Sequence, residues 1–192
     1  MAAIRTPELT LRPASPGDGV DVWAMIREIG PGENGFHNDG FDVPLSRFPA
    51  FLAKLEDMRH GRALPSGYVP QTTFWVYADE HPVGISKLRH RLTDALRRTG
   101  GHIGYCIRPT ERRKRYGNAM LRATLVEARE LGITEALITV NVDNAPSWRM
   151  IEANGGVLGK IEDGKRYYTV ATGDIATGDI ATGGCSNATS KD

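Results

Sequence analysis

Three β-type segments, Thr72 to Tyr77, Val83 to Leu92 and His102 to Arg108, follow one another directly. A proline, a basic loop and a helical pattern come straight after them. This run constrains the fold more than any other part of the chain. Aromatic and β-branched residues fill the segments, and Asp79 to Pro82 turns the first into the second. Successive strands of this kind pair and must bury a face. The helix expected from about Gly117 to Leu131 places Leu121, Leu125 and Ala128 on one stripe able to cover it, with Gly132 as its cap.

The flanks extend the pattern. Leu9 to Pro13 alternates apolar and polar residues and predicts a first strand. Ser15 offers an N-cap, Pro16 a first helical position, and Val20, Trp23, Ile26 and Ile29 an apolar stripe for the helix that follows. Residues 30–44, rich in Gly, Asn and Asp, read as a loop, and Leu45 to His60 as a second helix buried through Phe48, Phe51, Leu52 and Leu55. Thr93 to Gly101 is a polar connection with room for a helical turn. Beyond the central helix come a strand at Thr134 to Val140, a short helix at Asn144 to Ala153, and a hairpin of Val157 to Ile161 with Arg166 to Val170 around Asp163-Gly164. The order β-α-α-β-β-β-α-β-α-β-β predicts an α/β fold, a mixed sheet with helices on its faces.

A chain of 192 residues suits one domain, here expected over residues 1–170. Residues 171–192 repeat Ala-Thr-Gly-Asp-Ile and are expected to form a flexible low-complexity tail. The net charge of +1 gives no global attraction to nucleic acid or membrane. Cys106 and Cys185 are expected as free thiols, and neither has a metal-ligand spacing, so no metal site is expected. The N-terminus lacks the apolar stretch of a signal peptide, and no run is long enough to span a bilayer. The cytoplasm is therefore the expected compartment.

The chemistry is concentrated between Gly101 and Leu121. A strand ends at Pro109, four basic residues follow (Arg112, Arg113, Lys114, Arg115), and Gly117 lies at the helix start. A strand–loop–helix junction presents unpaired backbone N–H groups and the positive end of a helix dipole, which together favour an anion or phosphate. A solvated basic turn that binds nothing is the plainer reading. A nucleic-acid contact would want a wider basic face and an aromatic platform, which the sequence lacks.

These residues resemble the GNAT acetyltransferases, whose Arg/Gln-x-x-Gly-x-Gly/Ala loop holds the pyrophosphate of acetyl-CoA on backbone amides. Arg112-Arg113-Lys114-Arg115-Tyr116-Gly117, followed by Asn118-Ala119, matches with Arg115 in place of the middle glycine. A non-glycine residue there keeps its N–H available if its φ is negative. Asn144 to Ser147 resembles the family's Asn-x-x-Ser/Ala, which lies along the pantetheine arm; Asn144 also reads simply as a helix N-cap. The resemblance spans roughly residues 7–170 and includes Gly-Gly-His-Ile-Gly-Tyr before the loop.

It implies direct transfer of an acetyl group from acetyl-CoA, as cosubstrate, to an amine, with the backbone around Tyr105, Cys106 and Ile107 polarising the thioester. A free amine has a pKa of about 10.4, so a base is needed near neutrality. His102 stands where several relatives place a Glu, which makes it the candidate base; a strand histidine satisfied by a hydrogen bond is the alternative. Glu33 and His37 are candidates for acceptor contact. The tyrosine that protonates the leaving thiolate in many relatives is Ile151 here. A small-molecule amine is the expected acceptor. A protein amine or charged tRNA, and a non-catalytic acyl-CoA- or partner-binding module, stand as alternatives. Family members are often dimers, so the resemblance also allows a homodimer.

Overall fold

A computed structural model describes residues 8–173. Its elements are β1 (Leu9–Pro13), α1 (Val20–Ile29), α2 (Phe48–Arg59), β2 (Gln71–Ala78), β3 (His81–Arg89), α3 (Asp94–Thr99), β4 (Ile103–Ile107), α4 (Tyr116–Glu130), β5 (Glu135–Asn141), α5 (Ala145–Ala153), β6 (Val157–Glu162) and β7 (Lys165–Ala171). Short 3-10 turns precede α2 and follow β4. The expected order therefore holds, with α3 as the helical turn of the polar connection.

The strands form two sheets rather than one continuous sheet, β1-β2-β3-β4 and β5-β7-β6, and every registered pair within them is antiparallel. They meet only at the start of β4. There Gly101 bridges Ile138, and the His102 N–H donates to the Leu137 carbonyl at 2.7 Å. From Ile103 onward β4 has no strand on its second edge, so a gap opens between β4 and β5. Gly101 is required at the seam: its φ is +62°, and a Cβ would lie 2.3 Å from the Leu137 carbonyl oxygen.

Two apolar clusters cover the two faces. Met120, Leu121, Leu125 and Ala128 of α4 and Ile151 of α5 close one face, with Phe74, Leu88, Ile138 and Tyr168 from the strands. Val22, Met25, Ile26 and Ile29 of α1 and Phe48, Leu52 and Leu55 of α2 close the other, over Trp75, Ile85 and Cys106.

Three expectations are corrected. The stripe of α1 runs through Val22, Met25, Ile26 and Ile29, while Val20 is 61% exposed. The helix starts later than Ser15: Ser15 and Asp18 close a turn of their own through the Ser15 N–H to the Asp18 carboxylate, and the Trp75 indole also donates to Asp18. Ala171 completes β7 and Thr172 is buried, its hydroxyl donating to the Ile133 carbonyl at 2.6 Å, so the packed unit runs two residues past 170. From residue 174 the tail, with Cys185, lies outside the described residues.

Candidate active site

The basic loop joins β4 to α4 and is anchored on both sides. Glu28 of α1 accepts from the guanidinium of Arg108 and from the N–H and hydroxyl of Thr110. Desolvation pushes Glu28 up, but these donors outweigh it and hold its pKa at about 2. Arg112 donates from Nε to the Ile107 carbonyl at 3.0 Å and pairs with Glu33 at 2.7 Å. The structure thus joins a residue expected to hold the cosubstrate to one expected to touch the acceptor.

Arg113 and Arg115 both have a φ of +65°, and Arg115 is the N-cap of α4. The negative φ named as the condition for an available N–H at Arg115 is not met: the turn is left-handed and an arginine adopts it, at roughly 1–2 kcal/mol of strain. Such strain concentrates at functional sites. Among the described residues the N–H groups of Arg113, Lys114 and Arg115 have no acceptor outside helices and strands, those of Tyr116, Gly117 and Asn118 are the first of α4, which an α-helix leaves without an intrahelical partner, and Arg115 provides no side-chain cap. Alternating left-handed residues ahead of a helix bring successive N–H groups into one concavity, which is an anion cradle. Arg113 and Arg115 are exposed beside it, and Lys114 is held by Glu111 at 2.8 Å.

A side chain at Gly117 would press on a neighbouring helix through the flexible, half-buried side chain of Met150. A Cβ there would lie 2.8 Å from the Met150 sulfur, so the glycine lets α4 approach α5. Asn118 accepts from the Asn154 side chain at 2.6 Å across the same contact, and Tyr116 and Ala119 pack on the core beneath it. Nothing in the sequence marked Met150 or Asn154 as partners of the loop.

Along β4 the alternation is set by the Arg108 N–H, which donates to Val83 of β3. Counting back in twos, Cys106 and Gly104 bond to β3, and the N–H groups of Tyr105 and Ile107 turn toward the gap. Of the three expected donors, then, Tyr105 and Ile107 are the ones with an N–H free to polarise a carbonyl there. Cys106 is buried and its thiol is pushed up by burial, which keeps it a neutral packing residue. The Tyr105 hydroxyl lies 2.6 Å from that of Ser147, and burial pushes the phenol to about 12. The Asn144 side chain accepts from the Ser147 N–H and caps α5.

His102 sits at the opposite end of β4 from the loop. Its Nδ1 accepts from the Leu137 N–H at 2.9 Å. Burial, then the charges of Arg97 and Arg89, lower its pKa. The neutral ring therefore carries its proton on Nε2, and its one lone pair is already used. The geometry gives a satisfied seam histidine and leaves no lone pair for the expected base. His37 is exposed, and only its backbone carbonyl is engaged, by Lys87 at 2.8 Å. The Lys87 ammonium also reaches Asp39, and although burial raises the Asp39 pKa, that charge holds it below the usual range. Among the described residues no group of His, Cys, Asp or Glu is arranged to hold a metal ion, and no helix is long and apolar enough to cross a membrane.

The sequence profile described as the acetyltransferase (GNAT) family matches residues 43–155, more than half the chain and including the loop and α5. No curated protein matches the sequence at a significant level. Among solved structures, the N-acetyltransferase PseH of Campylobacter jejuni has 16% identity and a TM-score of 0.57, covering 86% of this chain and 99% of its own. RimJ of Mycobacterium smegmatis has 20% identity and a TM-score of 0.62, covering 85% and 81%. A chimera built on the Vibrio cholerae spermidine N-acetyltransferase SpeG has 17% identity and a TM-score of 0.58, covering 86% and 96%. At these identities the likeness is one of fold; together with the profile match over loop, gap and α5, it follows that the chain belongs to the acetyltransferase (GNAT) family, transferases that draw their acyl group from acetyl-CoA.

Proposed function

We propose that the protein transfers an acetyl group from acetyl-CoA directly to the amine of a small-molecule acceptor, with the pyrophosphate held by the N–H groups of residues 113–118. That run of unpaired amides, in a strained loop at a helix start, is the observation that carries the reading. It fits the group: the cradle is lined with donors, and the Arg113 and Arg115 side chains add charge beside it. The same fold is solved with acetyl coenzyme A in the Campylobacter jejuni PseH and with CoA-disulfide in the Mycobacterium smegmatis RimJ.

When bound, the cosubstrate supplies a thioester carbonyl. The Tyr105 and Ile107 N–H groups stabilise negative charge developing on its oxygen in the gap. Tyr105 and Ser147 share one hydrogen bond, so one of the two hydroxyl protons would be available to a thiolate leaving in the gap. A thiol with a pKa of about 8.5 needs little such help. Asn144 fixes Ser147 by capping α5. With the His102 lone pair committed, the acceptor's proton passes to water or to a group of the acceptor itself. A homodimer belongs to this reading, supported by the exposed Val157, Leu158 and Ile161 of edge strand β6.

The test is calorimetric titration of acetyl-CoA, followed by CoA release across an amine panel. Saturable binding in the micromolar range and its weakening in R113A/R115A are expected. Binding without turnover on any amine would favour a non-catalytic acyl-CoA-binding module, and absence of binding would reject the cradle.

A further inference from the structure

A groove of about 490 Å³ lies between α3 and the β6–β7 hairpin, on the face of the second sheet away from α5. That volume suits a small molecule. Arg97 and Arg98 of α3, Lys160 of β6 and Tyr167 of β7 line it, with Leu137 of β5; Asp94 is its one carboxylate. We infer that this groove binds a carboxylate or phosphate group carried by the acceptor amine. The inference rests on the acetyl-transfer reading and deepens it.

The first argument is charge. Three cations face one carboxylate. Lys160 is shared with Glu162 at 2.5 Å, whereas Arg97 and Arg98 are exposed and have no ion-pair partner among the described residues. A guanidinium presents a planar fork of donors that matches a carboxylate or phosphate, and two adjacent free forks over a groove form a receptor for one. A polycationic amine would meet like charge there.

The second argument is rigidity. Three side chains of the sheet pin the C-terminal end of α3: the Tyr167 hydroxyl donates to the Arg98 carbonyl at 2.8 Å, Lys165 to the Thr99 carbonyl at 2.8 Å, and Thr139 to the same carbonyl at 3.3 Å. The carbonyl end that would repel an anion is thus satisfied, and both guanidinium groups stand on a fixed helix. The third argument is place. Leu137 lines the groove, and its N–H and carbonyl are both bonded to His102 where the two sheets part. The groove therefore borders the seam from which the gap between the two sheets opens, and an acceptor held there by its anionic end would have to extend its amine along the gap toward Tyr105 and Ile107.

The test uses the full chain and three probes with the same aminoethyl end: β-alanine, O-phosphoethanolamine and ethanolamine, each titrated calorimetrically into wild type and R97A/R98A. At least one anionic probe should bind about tenfold more tightly than ethanolamine, and the double variant should lose that advantage. Which of the two anions wins identifies the group. Acetyl-CoA affinity should be the same in both proteins. Equal affinity for all three probes, or an advantage that survives in R97A/R98A, overturns the inference. Anion binding without acetyl-CoA binding would sink the transferase reading while leaving the groove as an anion site.

Discussion

Arg115 shows a residue with a side chain held in a left-handed turn at the start of a helix. The backbone keeps a φ of +65°, which glycine adopts freely and arginine only under strain. Arg115→Gly should relieve about 1–2 kcal/mol of that strain in the folded state. It should also restore about 0.5–1 kcal/mol of entropy to the unfolded chain, which works the other way. The net expectation is a modest gain in stability of about 0.5–1 kcal/mol, read as a higher urea midpoint at constant slope. Acetyl-CoA affinity should fall by no more than about tenfold, because the N–H remains and only a guanidinium is lost. Arg115→Val removes the guanidinium too and cannot take the turn without greater strain, so it should lose both stability and affinity. If the glycine variant is less stable than wild type, the loop is not strained at this residue.

At the scale of elements, the packing of α4 on α5 sets the shape of the cradle. A valine at Gly117 would press on the Met150 sulfur, 2.8 Å from the position of its Cβ. Gly117→Val should cost about 1–3 kcal/mol by overpacking and weaken acetyl-CoA binding by shifting α5. Adding Met150→Ala should restore most of both in G117V/M150A. Stability restored without binding would mean that the valine blocks the amides directly. Most of this scale was legible in the sequence, since the strands, helices and hairpin turn depend on local pattern and turn chemistry; Asp163 and Gly164 both take positive φ as the hairpin requires. The stripe of α1 was misplaced because Val20 and Val22 are equally apolar, and only the late start of the helix decides which faces in. Contacts between distant segments carried no local signal. Arg112 with Glu33, Tyr105 with Ser147 and Gly117 with Met150 join positions far apart in the chain, and two of these pairs were named as separate candidates without being matched.

At the scale of the molecule, the division into two sheets makes the gap, and the seam at Gly101 and His102 sets where it begins. The sequence suggested a continuous sheet because no pattern in β4 or β5 says how long they stay paired. His102 accepts the Leu137 N–H, so removing the ring takes the partner from a half-buried donor, which costs about 0.5–1.5 kcal/mol. His102→Ala should lose about that much. Asparagine can place an oxygen near the position of Nδ1, so His102→Asn should recover most of it. The pH dependence separates the seam from a catalytic base. The folded pKa is lowered below the ordinary 6.5, so between those two values the unfolded chain binds the extra proton. The stability contributed by His102 is therefore complete above 6.5 and is lost as pH falls through 6.5 toward the lower folded value. Burial lowers the His90 pKa too, so denaturant unfolding between pH 5 and 8 should show a slope of this sign from both histidines, and the asparagine variant should keep only the shallower slope left by His90. Turnover of the asparagine variant should stay close to wild type, with the same pH–rate profile. A base would behave oppositely: asparagine cannot accept a proton, so turnover would collapse in both variants whatever their stability.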